Sequence, residues 1–308
     1  MYYILTSVVL CSKWFSSLNM EKFNPERKPY RPDYLPQSEA EWLETGKFDI
    51  ETTEIKGKQI RCALTRGAEG KSLVTMAGGI PRDPERRKKL PLINKLYGHL
   101  ALKMLDENES SLLYNQPATG GSSGEWENET IQSRTNILAG VSEHFYKRTH
   151  ASSLSLIGTS AGAYMAVNAL DQLEDRRIKV PKLVLLSPAA YPEKAENVPY
   201  GEAFGNIVRK SWNVEESPIF SKLEKYIKDG GAAFIGFFEA DDPPIPRHIQ
   251  EYYKAFVQRL SSRGGAISVT TIPGVAHNFR RIGVSESKNV VDNDSIRTTA
   301  ILLADFLK

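Results

Sequence analysis

Cysteine is scarce in this chain. Of 308 residues only Cys11 and Cys62 are cysteine, and neither stands in a Cys-x-x-Cys or Cys/His spacing. A disulfide scaffold, a redox dithiol and a zinc site therefore have no sequence support, and a reducing, cytosolic setting is the expectation. Excess charge of one sign is missing too. Lys and Arg number 40 against 37 Asp and Glu, a net charge of +3 that is too even for a nucleic-acid or anionic-membrane footprint. No apolar run reaches the about 20 residues that cross a bilayer. Residues 2–10 are apolar but short, no basic residue precedes them, and Leu10 rather than a small residue stands before Cys11. A secretory signal or lipid anchor is therefore disfavoured, and Met20 is an alternative start. Internal repeats and low-complexity stretches are absent. What is present is an ordinary globular composition, 41% hydrophobic and 25% charged, long enough for one large α/β domain or two small ones.

Residues 24–37 carry Pro25, Pro29, Pro32 and Pro36 among charges, which prevents regular structure. Residues 1–47 are read as an N-terminal extension and lead-in, and 48–308 as the folded domain. Polar and apolar residues alternate at 48–55 and 59–64 around Lys56-Gly57-Lys58, which predicts an antiparallel hairpin at a sheet edge. Short apolar runs at 73–76, 111–114, 154–157, 183–186, 233–238 and 267–272 then take turns with helical stripes at 90–105, 131–146, 161–173, 249–260 and 295–307. Repeated βα units imply an α/β architecture, a doubly wound and mostly parallel sheet of about eight strands covered on both faces. Residues 188–221 interrupt the rhythm with Tyr191, Pro192, Pro199, Tyr200, Phe204 and Trp212. This segment is too long and aromatic for a simple connection and is read as a cap or lid, with a surface helix pair as the plainer alternative.

After the run 154–157 the chain reads Gly158-Thr159-Ser160-Ala161-Gly162 and passes at once into a helical stripe. In that context a G-x-S-x-G predicts a sharp, strained turn that pushes Ser160 outward, its glycines removing the Cβ atoms that would block it. The Ala161 N–H, at a helix N-terminus, is the first candidate donor to an oxyanion. The second is expected from Ala77-Gly78-Gly79-Ile80, with Gly79 the choice and Gly78 or Ile80 one residue of register away.

A serine at its ordinary pKa needs a histidine base, itself oriented by a carboxylate. Of five histidines, His277 in Gly274-Val275-Ala276-His277-Asn278-Phe279 follows the last predicted strand on the carboxyl edge that also carries Ser160. His99, His144 and His248 fall in predicted helices and His150 in a turn after one, where packing or surface roles are expected. For the acid, Glu239-Ala240-Asp241-Asp242-Pro243 follows the strand 233–238. Asp242, in Asp-x-x-Ile-Pro before the next helix, is the choice and Asp241 the alternative, the other being free to cap that helix.

With these residues in view, the chain from about 48 to 308 resembles the α/β-hydrolase fold superfamily of lipase, esterase and aminopeptidase-like serine hydrolases, whose triad runs in the order Ser, Asp, His. The stretch Asn115-Gln116-Pro117-Ala118-Thr119-Gly120-Gly121-Ser122-Ser123-Gly124 is similar to the Asp-x-Arg-Gly-x-Gly-x-Ser-x-Gly loop of many members: Gly120, Ser122 and Gly124 match, whereas Asn115, Pro117 and Ala118 depart. Leu186-Ser187-Pro188-Ala189 also resembles the strand end after the nucleophile helix in this family. Ala77 stands where many relatives have His, and no His-Gly-Gly-Gly run occurs, which argues against the hormone-sensitive lipase branch.

Other motifs lose. Arg82, Arg86, Arg87, Lys88 and Lys89 are diluted by Asp83 and Glu85 at a helix start and read as a solvated face. The glycine-rich 120–124 loop lacks the Lys-Ser/Thr ending of a phosphate loop. Cys62 reads as a small buried hydrophobe. The expectation is a hydrolase of carboxylic esters acting through an acyl-enzyme, needing neither metal nor cofactor. Ser160 is the nucleophile, His277 the base, Asp242 the orienter, and Gly79 and Ala161 the oxyanion hole. Trp126, Tyr191, Tyr200, Phe204 and Trp212 are expected to line an apolar site for a small to medium ester or amide substrate. The same triad would serve a peptidase, a thioesterase, an acyl-transfer or a haloperoxidase-like activity, and a non-catalytic binding protein could share the fold. Oligomeric state has no sequence signal.

Overall fold

The computed structural model of the chain describes Pro36, Pro81 and residues 38–79, 83–210, 214–239, 245–273, 275–277, 280–281 and 293–308. The N-terminal extension to residue 35, Ile80, Trp212, Asp241 and Asp242 lie outside the described residues.

A short helix, α1 (Glu39–Glu44), opens the described chain, capped by the Ser38 side chain accepting from the Glu41 N–H. The expected hairpin follows as β1 (Asp49–Ile55) and β2 (Lys58–Thr65), antiparallel with Ile55 opposite Lys58. Lys56 and Gly57 both take positive φ, 50° and 75°, the demand of a two-residue hairpin turn whose twist suits the strands. β3 (Leu73–Ala77) leads through α2 (Pro84–Lys88) and α3 (Lys95–Asp106) to β4 (Ser110–Tyr114). The stripe expected to be helical from residue 90 becomes helix only at Lys95. Pro91 lies just ahead of it, and the Asn94 side chain accepts from the Tyr97 N–H at 2.9 Å as the cap.

α4 (Ile131–Arg148), β5 (Leu154–Thr159), α5 (Ala161–Asp175) and β6 (Lys182–Leu186) continue the alternation. Next come α6 (Glu202–Lys210), α7 (Ile219–Lys228), β7 (Ala232–Phe238), α8 (Arg247–Ser261) and β8 (Ile267–Ile272). Two two-residue strands, β9 (Val275–Ala276) and β10 (Arg280–Arg281), pair antiparallel before α9 (Asn293–Leu307).

Eight strands form one sheet in the order β1-β2-β4-β3-β5-β6-β7-β8, parallel from β4 to β8 and antiparallel at β1, β2 and β4. β3 and β4 are buried at every position, as strands covered on both faces must be. One face packs against α4, α5, α7 and α8, the other against α1, α3 and α9. The α/β architecture and the strand number agree with the sequence reading.

Two packing details depart from it. Arg87, expected on a solvated face, is buried with its guanidinium carbon 3.7 Å from the centre of the Trp126 ring. The start of α7, placed within the 188–221 insertion, buries Ile219, Phe220 and Leu223 in the core beneath the sheet, so it belongs to the helical layer. Cys62 is fully buried in β2, as expected of a small hydrophobe, and burial pushes its thiol up to about 12.

Candidate active site

β3 and β5 lie side by side at the centre of the sheet with Ala77 opposite Gly158. From β3 the chain moves outward to β4 on one side, and from β5 to β6 on the other. The gap between these two strand ends is thus the topological switch point, where α/β sheets open a crevice at their carboxyl edge. Two residues beyond Ala77 stands Gly79, and two beyond Gly158 stands Ser160.

Ser160 has φ 56° and ψ −119°, a conformation strained for any residue with a Cβ. Backbone hydrogen bonds hold it there. Its N–H donates to Leu186 O at 2.8 Å, and its carbonyl accepts from Ala163 N–H at 3.1 Å and Ala189 N–H at 3.3 Å. The glycines of the motif have steric reasons. A Cβ on Gly158 would strike the backbone of Gly162 and Ala163, and one on Gly162 would strike the carbonyl oxygen of Ala77 and lie 2.7 Å from that of Gly78. Gly79 borders the serine: a Cβ there would be 3.3 Å from Ser160 Cβ and 3.9 Å from Oγ. Although Ser160 stands at the N-terminus of α5, its hydroxyl does not cap that helix, and the residue is half-buried. Among the described residues, neither the Gly79 nor the Ala161 N–H donates a hydrogen bond.

The strand ends are tied together. The Tyr97 hydroxyl donates to Ala77 O at 3.0 Å and lies 2.6 Å from Thr159 Oγ1. With its single proton committed to the carbonyl, the tyrosine accepts from the threonine. Burial raises its pKa far above the ordinary value, so the strut stays protonated.

His277 directly follows β9 and is half-buried, its ring edge-on to Phe238 at 5.6 Å between centroids. Phe238 ends β7, so His277 stands on the carboxyl edge that also carries Ser160. The hairpin that flanks it was not foreseen. The two acid candidates fall outside the described residues. The remaining histidines sit where the sequence put them. His99 is buried in α3 against Trp42, and burial, helped by Arg297 and Lys103, lowers its pKa to about 4. His144 and His248 lie in α4 and α8, and His150 follows α4.

The expected pocket aromatics form one chain of rings: Trp126 stacks on Tyr200 at 4.6 Å, Tyr200 meets Phe204 at 4.9 Å, Phe204 meets Tyr191 at 5.5 Å, and Tyr191 meets Tyr164 at 5.2 Å. Tyr164 is one turn along α5 from Ser160, and Tyr191 is two residues beyond Ala189, so this chain starts beside the elbow. Trp126 and the buried Tyr200 pack with the buried Arg134, Trp126 also with Arg87, while Trp126, Tyr191 and Phe204 all keep some exposed surface.

Two polar residues at this edge escaped the sequence reading. Gln116, in the loop after β4, donates to Gly78 O at 2.7 Å and accepts from Arg134 at 3.1 Å. Ser187, which directly follows β6, has φ 42° and a fully buried hydroxyl with no partner among the described residues. No sequence signal marks them: the partners of Gln116 lie 18 and 38 residues away in the chain, and nothing in the local sequence shows that the Ser187 hydroxyl is buried. The loop that carries Gln116 does explain its glycines. Gly120, at φ 49°, has Asn115 and Leu90 O where a Cβ would go, and Ser122 Oγ donates to Asn115 O at 2.7 Å while accepting from the Arg61 N–H at 2.9 Å. Among the described residues, no group of three or more acidic, His or Cys side chains could hold a metal.

No family model and no curated protein matches the chain. Solved structures do. Est1E from Butyrivibrio proteoclasticus with ferulic acid bound is similar at TM-score 0.57 and 18% identity, over 84% of this chain and 100% of that one. An alpha-beta serine hydrolase homologue from Coxiella burnetii gives 0.53 and 18%, over 84% and 97%. An alpha-beta hydrolase from Vibrio vulnificus gives 0.57 and 12%, over 86% and 81%. Such identities speak of architecture, and with the strand order and the elbow between β5 and α5 they establish that the chain adopts the α/β-hydrolase fold.

Proposed function

We propose that the protein is a serine hydrolase of carboxylic esters that works through an acyl-enzyme on Ser160, His277 and an aspartate, Asp242 by preference over Asp241. The observation that carries this reading is Ser160 itself: a non-glycine residue held at φ 56° beside a helix N-terminus it does not cap. Strain of that kind persists where the surroundings over-determine it, and it concentrates at functional sites.

In the proposed reaction His277 takes the Ser160 proton as Oγ attacks the ester carbonyl. The Gly79 and Ala161 N–H groups, which meet no acceptor among the described residues, receive the developing oxyanion. The tetrahedral adduct collapses as His277 returns the proton to the departing alkoxide, leaving the acyl group on Ser160. Water, deprotonated by the same histidine, then attacks the acyl-enzyme and releases the acid. Tyr191 and Phe204, beside the elbow and partly exposed, supply an apolar wall for the acyl group, while Trp126 and Tyr200 stiffen that wall from behind. Est1E, alike in fold, holds ferulic acid, which makes aromatic acyl esters a sensible part of a substrate panel.

The test is hydrolysis of p-nitrophenyl esters of graded acyl length, with aromatic acyl esters, thioesters and aminoacyl amides alongside. Ester turnover lost in His277→Ala, and lost more in Asp242→Asn than in Asp241→Asn, is the expected result. The reverse ranking transfers the orienting role to Asp241. A folded protein that turns over nothing in the panel favours a binding protein on this fold.

A further inference from the structure

We propose that Gln116, held by the buried Arg134, is a positioning residue for the oxyanion hole: its side-chain amide fixes the Gly78–Gly79 peptide so that the Gly79 N–H serves the reacting carbonyl. The inference rests on the proposed role of Ser160 and adds to it the groups that aim one of its donors.

The hydrogen bonds settle which way the Gln116 amide faces. An arginine can only donate, so the atom 3.1 Å from Arg134 Nη1 is the amide oxygen, and Nε2 is left to meet a carbonyl, which can only accept. That carbonyl is Gly78 O, at 2.7 Å. Within one planar trans peptide the C=O and the following N–H point in opposite directions. Pinning Gly78 O therefore pins the direction of the Gly79 N–H, in the residue whose missing Cβ would lie 3.9 Å from Ser160 Oγ. Withdrawing charge from the carbonyl also polarises the N–H, as in any hydrogen-bonded chain at low dielectric.

Each link is itself held. The Gln116 carbonyl accepts from Thr119 Oγ1 at 2.7 Å and from the Thr119 N–H at 3.1 Å, and the Asn115 N–H donates to Arg61 O at 2.9 Å. Arg134 has no exposed surface, and its second terminal nitrogen donates to Pro117 O at 2.7 Å, so it grips both the side chain and the loop of Gln116. Burying a guanidinium costs several kcal/mol unless its surroundings compensate. Here the Trp126 and Tyr200 rings, each 5.0 Å away, do so together with the buried Glu129. Gly162 completes the arrangement, since any side chain there would displace the carbonyls of Ala77 and Gly78.

The experiment compares kcat and KM for ester hydrolysis, with inhibition by a trifluoromethyl ketone, in wild type, Gln116→Leu, Gln116→Glu, Arg134→Met and the Gln116→Leu/Arg134→Met double variant. Ionised, Gln116→Glu keeps the volume and the contact to Arg134 but has no donor for Gly78 O. Both Gln116 variants should lose about 10- to 100-fold in kcat per folded molecule, less than the loss of an oxyanion donor outright, with KM within about twofold. The ketone, whose adduct bears the same oxyanion, should weaken in parallel. Arg134→Met should lose less, and the double variant no more than Gln116→Leu alone. Unchanged kcat in both Gln116 variants, or a loss confined to KM, overturns the proposal, and losses that multiply in the double variant overturn the link through Arg134. A wild type that hydrolyses no ester, and whose fluorophosphonate labelling survives Ser160→Ala, overturns the parent reading instead.

Discussion

The carboxyl ends of β5 and β6 carry two serines in nearly the same backbone predicament. Ser160 has φ 56° and Ser187 has φ 42°, and each extends a ladder to the next strand through its N–H: Ser160 to Leu186 O at 2.8 Å, Ser187 to Gly236 O at 2.7 Å. In both, the neighbouring strand over-determines a conformation that costs of order 1–3 kcal/mol. Their hydroxyls differ. Ser160 is half-buried, starts a helix and borders Gly79, whereas Ser187 is fully buried, precedes Pro188 and has no partner for its oxygen among the described residues. Strain alone does not mark a nucleophile. What sets Ser160 apart from Ser187 is a half-buried hydroxyl at a helix N-terminus, beside N–H groups that meet no acceptor among the described residues.

Four perturbations test that contrast. The largest effect is expected from Ser160→Ala, which should cut ester hydrolysis by at least about a thousandfold while thermal unfolding stays within about 1 kcal/mol of wild type. A fall in stability to match would make the strain structural, like that at Ser187. Next in size is acidification, which acts on both turns alike and limits the range for comparing them. With its folded-state pKa lowered to about 4 from 6.5, His99 binds its proton more readily in the unfolded chain. The stability it protects is complete above pH 6.5 and drains away as pH falls toward 4, by roughly 3 kcal/mol. Urea unfolding at pH 7.5 and 5 should show about 2 kcal/mol of this loss, and most of it should vanish in His99→Leu; a loss undiminished there assigns the titration elsewhere.

The supports of the two turns differ as well. Gly162→Ala drives a Cβ into the Ala77 carbonyl, which cannot give way, and should destabilise by about 2–3 kcal/mol and lower activity. Gly236→Ala, behind Ser187, meets side-chain atoms, the nearest being the movable Leu186 Cδ2 at 3.0 Å with Ile272 Cδ1 and Phe234 Cε1 at 3.4 Å, and should cost about 1 kcal/mol in denaturant unfolding. Equal costs would remove the distinction between a backbone-packed and a side-chain-packed turn. Smallest is Ser187→Ala, which deletes the orphaned hydroxyl and should leave hydrolysis unchanged and raise stability by at most about 1 kcal/mol. Lost activity in that variant would bring Ser187 into the site.

How much of this was legible beforehand follows from the kind of interaction. The strands that carry the site announced themselves as apolar runs, since both faces of a central parallel strand are buried, and the elbow announced itself through glycines that backbone contacts require at 158 and 162. The Lys56-Gly57 turn was readable from local chemistry alone. Arg87 and Arg134 were not, because a guanidinium buried against aromatic faces looks in sequence like any surface charge. Gln116 was invisible because its meaning lies in a carbonyl 38 residues away. The β9–β10 hairpin around His277 is too short for any periodicity to show.

The most direct measurement is intact-mass analysis after treatment with a fluorophosphonate, which forms a stable adduct on an activated serine whatever the natural substrate. One adduct on wild type, none on Ser160→Ala and an unimpaired adduct on Ser187→Ala is the predicted outcome. No adduct on the folded wild type, or one that survives Ser160→Ala, would contradict the assignment of Ser160 as the nucleophile.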